Sequence, residues 1–396
     1  MKTLVLALLV LTANQSLAAQ SSWIETRGDF ADAEPGSQPY PDLPQIYQPR
    51  EPLMVASLTS TQKVLERESP ASSQTPEESV WSISTDNDLF VPTQTDRDYT
   101  AGVSITYTGK AGVDYWGALD NILQFIDLAL QMDQYIPDMK AHTPGIEFGV
   151  YGFTPDRITA QETVLDDRPY ASLVYLSASR IYVDRRTGDA WTSSLTVGAL
   201  GLDIFKQGQN TVHDIIGSDR AEGWGHQVSD GGEATFRYHQ AFHDNLSESR
   251  PSAKIKATYY GSVGYLTEAG MALTFRNGLI SSPDDRFNPE LTSYGEHVND
   301  AGSAASAGNE SYFWGGLAIK ARFFNAFLEG QFRHSDHTID RSALRPLLLE
   351  AWLGYTQSFD RGFKLSYVAR GQTSEIEGGE GDRELFWGGM ILSKSV

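Results

Sequence analysis

Three short clusters in this 396-residue chain gather side chains that act together in hydrolysis. The first is Thr85-Asp86-Asn87-Asp88, followed by Thr95-Asp96-Arg97-Asp98-Tyr99-Thr100. The second is Leu165-Asp166-Asp167-Arg168-Pro169-Tyr170. The third runs Gln209-Asn210-Thr211-Val212-His213-Asp214-Ile215-Ile216-Gly217-Ser218-Asp219, then Gly223-Trp224 and Gln227. Asn87, Asp88 and Thr100 offer oxygen ligands. In a chain without cysteine, such ligands suit Ca²⁺ or Mg²⁺ better than zinc. A cation held there polarises an ester carbonyl and stabilises its oxyanion. His213 is the residue type suited to act as a general base at neutral pH. Asp219, six residues further on, can orient the imidazole or share its proton. The same residue types have a plainer use. Asp and Asn form turns, and Asp96–Arg97 and Asp167–Arg168 can be ion pairs that hold an interior together. Residue type alone leaves both readings open.

These clusters need elements to position them, and the pattern supplies strands. From Trp81 onward the hydrophobicity has period two. Val103, Ile105 and Tyr107 alternate with Ser104, Thr106 and Thr108. Ile255, Ala257 and Tyr259 alternate with Lys254, Lys256 and Thr258, and Phe363, Leu365, Tyr367 and Ala369 with Lys364, Ser366, Val368 and Arg370. Strands are expected near 81–90, 100–108, 145–153, 170–183, 192–202, 233–242, 254–266, 269–278, 311–322, 324–334 and 346–358, with two more in 362–395. A transmembrane barrel of this kind has an even number, so twelve is the expected count. The alternation also fits a soluble sandwich with its polar face outward. One segment is helical instead. Trp116, Leu119, Ile122, Leu123, Phe125, Ile126 and Leu130 recur at i, i+3 and i+4, which predicts an amphipathic helix on the barrel or at the membrane surface.

The start of the chain reads as an export signal. Lys2, the apolar run Leu4 to Leu11 and Ser16-Leu17-Ala18 predict a signal peptide over 1–19, cleaved before Ala19 or Gln20. Residues 20–79 are rich in Pro, Ser, Gln and Glu without periodicity, and read as a disordered leader. The barrel is expected over 80–396. The net charge of −20 argues against nucleic acid as a partner. Tyr (18), Phe (18) and Trp (8) are numerous enough to furnish aromatic girdles. No later run is long and apolar enough for a membrane-spanning helix. The expected class is all-β: an antiparallel transmembrane barrel of about twelve strands with one helical insertion.

If β-strand one leaves the periplasmic side, the loops 89–99, 154–169 and 203–232 share the outer rim, and the three clusters converge. Taken together, Asn87-Asp88, Asp98-Tyr99-Thr100-Ala101-Gly102 and Gln209-Asn210-x-x-His213-x-Ile215-Ile216-Gly217 resemble the lipid A 3′-O-deacylase family of outer-membrane barrels. The likeness covers roughly residues 80–396 and is sharpest over 81–240. It implies a twelve-stranded monomeric barrel in the outer membrane. The activity implied is Ca²⁺-dependent hydrolysis of the ester that carries the 3′ acyloxyacyl group of lipid A, at the outer rim. By resemblance, Asn87 and Asp88 match the family's active-site Asn-Asp pair, Thr100 its threonine and His213 the base that activates water. Asp219 falls where the family has a glutamate. The sequence departs from the family in that Asp, in lacking a lysine over 156–164 (Arg157 is the one cation there), and in reading Gly201-Leu202 where Gly-Pro is common.

Two other readings stand beside this one. The first is a non-enzymatic barrel, either a pore or a structural protein that binds lipopolysaccharide. The second is a barrel phospholipase with a serine nucleophile. For that, only His334-Ser335 offers itself, in a chain with no Gly-x-Ser-x-Gly.

Overall fold

Period-two segments of 8–15 residues, each with one apolar and one polar face, close into a cylinder whose polar face is inside. A computed structural model describes residues 79–92, 97–130, 139–141, 144–184, 187–247, 252–300 and 309–396. The expected signal peptide and, apart from Ser79, the expected leader lie outside these residues. The strands are β1 (Val80–Asn87), β2 (Asp98–Thr108), β3 (Gly145–Thr154), β4 (Ala171–Asp184), β5 (Ala190–Leu200), β6 (Glu233–Asn245), β7 (Ala253–Gly264), β8 (Leu266–Leu279), β9 (Ser311–Asn325), β10 (Leu347–Phe359), β11 (Phe363–Gln372) and β12 (Leu385–Ser395). Met139–Ala141 pairs with Tyr182–Asp184 beyond the end of β3 on the same side of β4, so it extends that position without adding a thirteenth stave. Each strand is antiparallel to its neighbours. The Val80↔Ser395 register of β1 with β12 closes the barrel and leaves no open edge.

The faces separate membrane barrel from sandwich. Outward side chains are apolar and exposed: Ile83, Val103, Ile105, Phe148, Leu273, Leu317 and Leu353 are among them. Inward ones are polar and buried, as with Ser82, Thr106, Lys256, Thr258, Lys320, Glu350 and Arg370. A soluble protein has the reverse arrangement. Aromatic pairs line the rim where β1 begins and β12 ends, here called the near rim. They are Trp81–Tyr107 and Phe313–Tyr355, both at 4.8 Å, and Trp191–Phe242 at 4.9 Å. Such a girdle suits a membrane–water interface. Among the described residues, no helix is long and apolar enough to cross a membrane.

The lumen is filled. The β8–β9 connection folds inward, and its short 3₁₀ turns bring acidic groups to the wall's cations. Glu290 meets Lys256 at 2.9 Å and accepts from Thr258 (2.6 Å) and Thr274 (2.9 Å). Glu296 meets Arg237 at 3.0 Å and accepts from Thr196 and Tyr265. His297 meets Asp86 at 2.9 Å. Further toward the far rim, Tyr99, Tyr151, Phe153, Tyr175, Phe327 and Trp387 pack into one aromatic cluster. A void of about 20 Å³ beside Arg237, Glu268 and Glu296 is what remains there, room for roughly one water. Pairing of this kind is what allows charges to be buried at all, because an unpartnered one costs several kcal/mol (~3–5 for breaking a buried pair).

Two expectations change. Residues 324–334 are not a strand. β9 runs on to Asn325, whose side chain caps the short helix α3 (Ala326–Glu329) by accepting from the Phe327 amide at 3.0 Å. Ala326, Phe327 and Leu328 are all buried, so the apparent alternation there is a turn of helix folded against the core. The helical segment, α1 (Lys110–Ala129), lies on the barrel as expected, but the apolar residues expected to form one face divide between two. Leu119 and Leu123 pack on Ala178 and Leu195, whereas Ile122, Phe125 and Leu130 point away.

Candidate functional site

The last row of the wall at the far rim is where β1, β2 and β3 converge. Asn87 pairs with Ala101 and Ala101 with Gly152 in the strand register. The register slips between Tyr99 and Ala101, a bulge that sets Thr100 out of the regular alternation. Its hydroxyl is thereby brought to Thr154 Oγ1 at 2.6 Å. Asn87 ties the two strands: Nδ2 donates to the Thr100 carbonyl at 2.8 Å and Oδ1 accepts from the Leu89 amide at 2.7 Å. Asp88 starts a single 3₁₀ turn, is buried, and accepts from the Arg97 amide at 2.6 Å. Asn87, Asp88 and Thr100 are thus brought together as the sequence suggests, with Thr154 as a fourth member that the motifs did not single out.

This row faces outward. Tyr99, Tyr151 and Phe153 fill the interior, and the alternate positions Ala101, Val150 and Gly152 face helix α2 (Ile204–Ile216), which lies on the outside of the wall. Phe205 of α2 sits directly on Gly152. A Cβ at that glycine would lie 2.6 Å from the ring, so only glycine lets the helix come this close. Ile158, Tyr170, Ala221 and Trp224 complete the apolar packing beneath α2, with Trp224 4.8 Å from Tyr170 and 5.1 Å from Phe205.

His213 occupies the last turn of α2 and is buried. The helix ends at Gly217, whose positive φ of 75° turns the chain back so that its amide and that of Ser218 both cap the His213 carbonyl (2.8 and 3.0 Å). The returning segment is clamped by the two residues that precede His213 by four and three positions. Asn210 accepts from the Ala221 amide at 2.9 Å and donates to the Ala221 carbonyl at 3.2 Å. Gln209 Oε1 accepts from Trp224 Nε1 at 2.8 Å. The spacing Gln-Asn-x-x-His is therefore a helix turn that fixes its own return loop. Gln209 Nε2 is buried and, among the described residues, has no acceptor.

His213 and Asp219 are joined, but not as expected. Nδ1 of His213 meets the main-chain carbonyl of Asp219, and the Asp219 side chain is exposed. A carbonyl only accepts, so Nδ1 is the donor in this contact. The contact does not depend on the Asp219 carboxylate, because the backbone makes it.

The chain matches the family described as outer membrane protein LpxR over residues 53–396. It belongs to the LpxR family. Among solved structures, LpxR from Salmonella typhimurium matches with a TM-score of 0.60 at 15% identity, covering 80% of this chain and 99% of that one. The β domain of the Bordetella autotransporter BrkA matches with a TM-score of 0.38 at 9% identity, covering 81% and 99%. No curated protein sequence matches the chain. Family and fold together make this an outer-membrane barrel.

Around this LpxR-family site the remaining motif residues are structural. Arg168 is fully buried, 3.6 Å from Asp98 and 2.9 Å from Glu375, with its guanidinium 4.7 Å above the Phe153 ring. Asp167 accepts from the Asp156 amide at 2.8 Å and meets Arg383 at 2.9 Å. Asp167–Arg168 thus holds loops and lumen together, the plainer of its two readings. Arg157 pairs with Asp166 at 2.9 Å and Glu380 at 3.5 Å, exposed. His334 is exposed and Ser335 Oγ accepts from the Ser229 amide at 3.0 Å, a tie between loops. Glycine at 152 and the hydroxyl of Thr154 were invisible as site residues, since neither lies in a polar cluster.

The donors can be tested against a cation. Among the described residues, no three His, Asp or Glu side chains gather as a metal site. The oxygen set is one carboxylate (Asp88), one amide (Asn87), one hydroxyl (Thr100) and nearby carbonyls. That composition fits a hard ion such as Ca²⁺, which takes amide, hydroxyl and carbonyl oxygens, and water, alongside few carboxylates.

Proposed function

We propose that this barrel is a Ca²⁺-dependent lipid A deacylase that hydrolyses the ester carrying the 3′ acyloxyacyl group. The observation that carries the reading is His213. Its ring is held by the Asp219 carbonyl and buried on a helix whose Phe205 packs on the outward face of the wall at Ala101, the residue that follows Thr100 and pairs with Asn87. Such a site opens toward a lipid leaflet and away from the lumen. The family's name and the motifs that agree with it support the same substrate class.

His213 Nε2 takes the proton of a water whose oxygen attacks the ester carbonyl carbon. As the tetrahedral species collapses, the carbon–oxygen bond to the sugar breaks, and the same imidazole returns the proton to the departing 3′ oxygen. The products are a carboxylic acid and a free 3′ hydroxyl. Ca²⁺ held by Asn87, Asp88 and Thr100 would supply stabilisation of the oxyanion. Gln209 Nε2, fixed by Trp224, is a further hydrogen-bond donor beside the reaction. Thr154 keeps the Thr100 hydroxyl oriented. The protein acts as a monomer from the outer leaflet, with the site at the outer rim.

The plugged lumen weighs against the pore, and the packing of Ser335 Oγ against the phospholipase. The deciding experiment is the lipid A mass spectrum of purified protein in detergent micelles with Ca²⁺ or with chelator. Loss of the 3′ acyloxyacyl mass with Ca²⁺, and no loss with chelator or with His213→Ala, is the expected result. An unchanged spectrum with Ca²⁺ refutes the reading.

A further inference from the structure

From Ala118 onward, helix α1 turns its carboxylates inward, beside Leu119 and Leu123, and shows large apolar side chains outward. Both of its acidic residues in the second half, Asp120 and Asp127, face the barrel wall and are buried. From Ala118 to Leu130 the exposed side chains are Ala118, Asn121, Ile122, Phe125, Leu128, Ala129 and Leu130, so the outer face carries no charge and one polar group. Phe125 is 71% exposed. A helix on a protein in water has the opposite arrangement.

The wall beneath explains the inversion. α1 lies across the outward face of β4, β5 and β6. Register places the outward residues there in rows. Nearest the near rim is the aromatic row Tyr182, Trp191 and Phe242, and next to it the polar row Arg180, Ser193 and Gln240. Beyond it come Ala178, Leu195 and Tyr238, then Leu176, Val197 and Phe236. On the opposite side of the barrel the corresponding rows are Phe313 with Tyr355, then Phe275, Gly315 and Leu353, without a charge. An arginine and hydroxyls in the apolar belt are costly against hydrocarbon. α1 satisfies them: Asp120 takes Arg180 in a two-pronged contact (2.7 and 2.6 Å), and Asp127 accepts from Ser193 (2.6 Å), Tyr238 (2.8 Å) and Tyr182 (2.9 Å).

We propose that α1 is embedded in the leaflet at the near rim, with Ile122, Phe125 and Leu128 among phospholipid acyl chains. The helix replaces a polar stretch of wall with an apolar one of its own, and its outer face continues the belt that Phe236 and Val197 carry beside it. It lies along the barrel and does not span the bilayer. This surface is separate from the outward face at the far rim and independent of the activity proposed for it.

The absence of cysteine from the chain makes the test direct. Single variants Phe125→Cys, Phe236→Cys in the belt and Thr187→Cys in the near-rim turn are labelled with a bimane fluorophore and folded into phosphatidylcholine vesicles. Folding is checked by heat-modifiable migration. Quenching by lipids brominated along the acyl chain is then compared. The label at 125 should be quenched about as strongly as at 236 and about threefold more than at 187. Quenching at 125 no greater than at 187 overturns the proposal. So does an oxidative Phe125→Cys dimer accompanied by loss of lipid quenching, which would seat a second copy on this face. Ile122→Cys and Leu128→Cys carry the same test should position 125 fold poorly.

Discussion

Two helices pack on the outside of this barrel, and they solve opposite problems. α1, toward the near rim over β4–β6, turns Asp120 and Asp127 inward and gives each a set of partners. From Ala118 to Leu130, what it shows to its surroundings is apolar apart from Asn121. α2, at the far rim over β2 and β3, packs Phe205 on the wall and buries Gln209, Asn210 and His213 in its return loop. Its amide and imidazole groups are oriented by specific contacts, and among the described residues Gln209 Nε2 is left without an acceptor. The wall is the same kind of surface in both places. Where polarity is neutralised in pairs, the helix serves the membrane. Where polar atoms are held rigid with one function unspent, the helix can serve a reaction.

That contrast can be broken by substitution. The largest expected effect is at His213. His213→Ala should lower the deacylation rate about 10²–10⁴-fold, the usual worth of a general base, with the thermal unfolding of the barrel unchanged by circular dichroism. Next is α1. Arg180→Leu leaves Asp120 as an unpaired buried charge and should destabilise the barrel by ~3–5 kcal/mol. Adding Asp120→Leu should recover much of that loss, since a pair replaced by apolar groups is near neutral. Urea unfolding in vesicles measures both, and activity should hardly move. If Arg180→Leu alone is harmless, α1 is not covering the polar row.

A smaller pair of effects sharpens the account of α2. Asn210→Ala removes both hydrogen bonds to Ala221, and at ~1–3 kcal/mol for a disrupted buried amide should loosen the return loop and lower activity about tenfold. Asp219→Asn should retain activity within about threefold, because the carbonyl that holds His213 is backbone. A large loss with Asp219→Asn would restore the carboxylate to the mechanism. The smallest effect is a pH-dependent clasp between far-rim loops. The hydrogen bond from His226 Nδ1 to Asp336 at 2.7 Å raises the pKa of that imidazole. A raised folded value stabilises the closed loops below the unfolded pKa and is lost as pH rises through the folded one. Corrected amide exchange around residues 224–227 should therefore quicken between about pH 6 and 8, and His226→Gln should abolish that dependence.

Much of the barrel was legible because a membrane strand has one requirement, an apolar outside and a polar inside, and period two records it directly. Val103, Ile105 and Tyr107 stand outward as their alternation says. The pattern failed at 326–329, where three consecutive residues are buried and Asn325 supplies a helix cap that overrides strand pairing. The site was legible in part. Asn87, Asp88 and Thr100 lie close in sequence across one turn, and antiparallel register must bring them together. Asp219 was named for its carboxylate, yet the chain reversal at Gly217 presents its carbonyl, a choice that residue type cannot disclose.

The sequence by itself determined the period-two strands, their expected number of twelve, and the cluster of oxygen donors at the end of β1, since these follow from local periodicity and short-range spacing. Only the tertiary structure decided which side of the wall the chemistry lies on. Whether α2 enters the lumen or covers the outside depends on Gly152 admitting Phe205 and on the β8–β9 connection having already filled the interior. The same holds for α1. Its residues can place either face on the barrel, and the Arg180, Ser193 and Tyr238 partners on three different strands select the charged one.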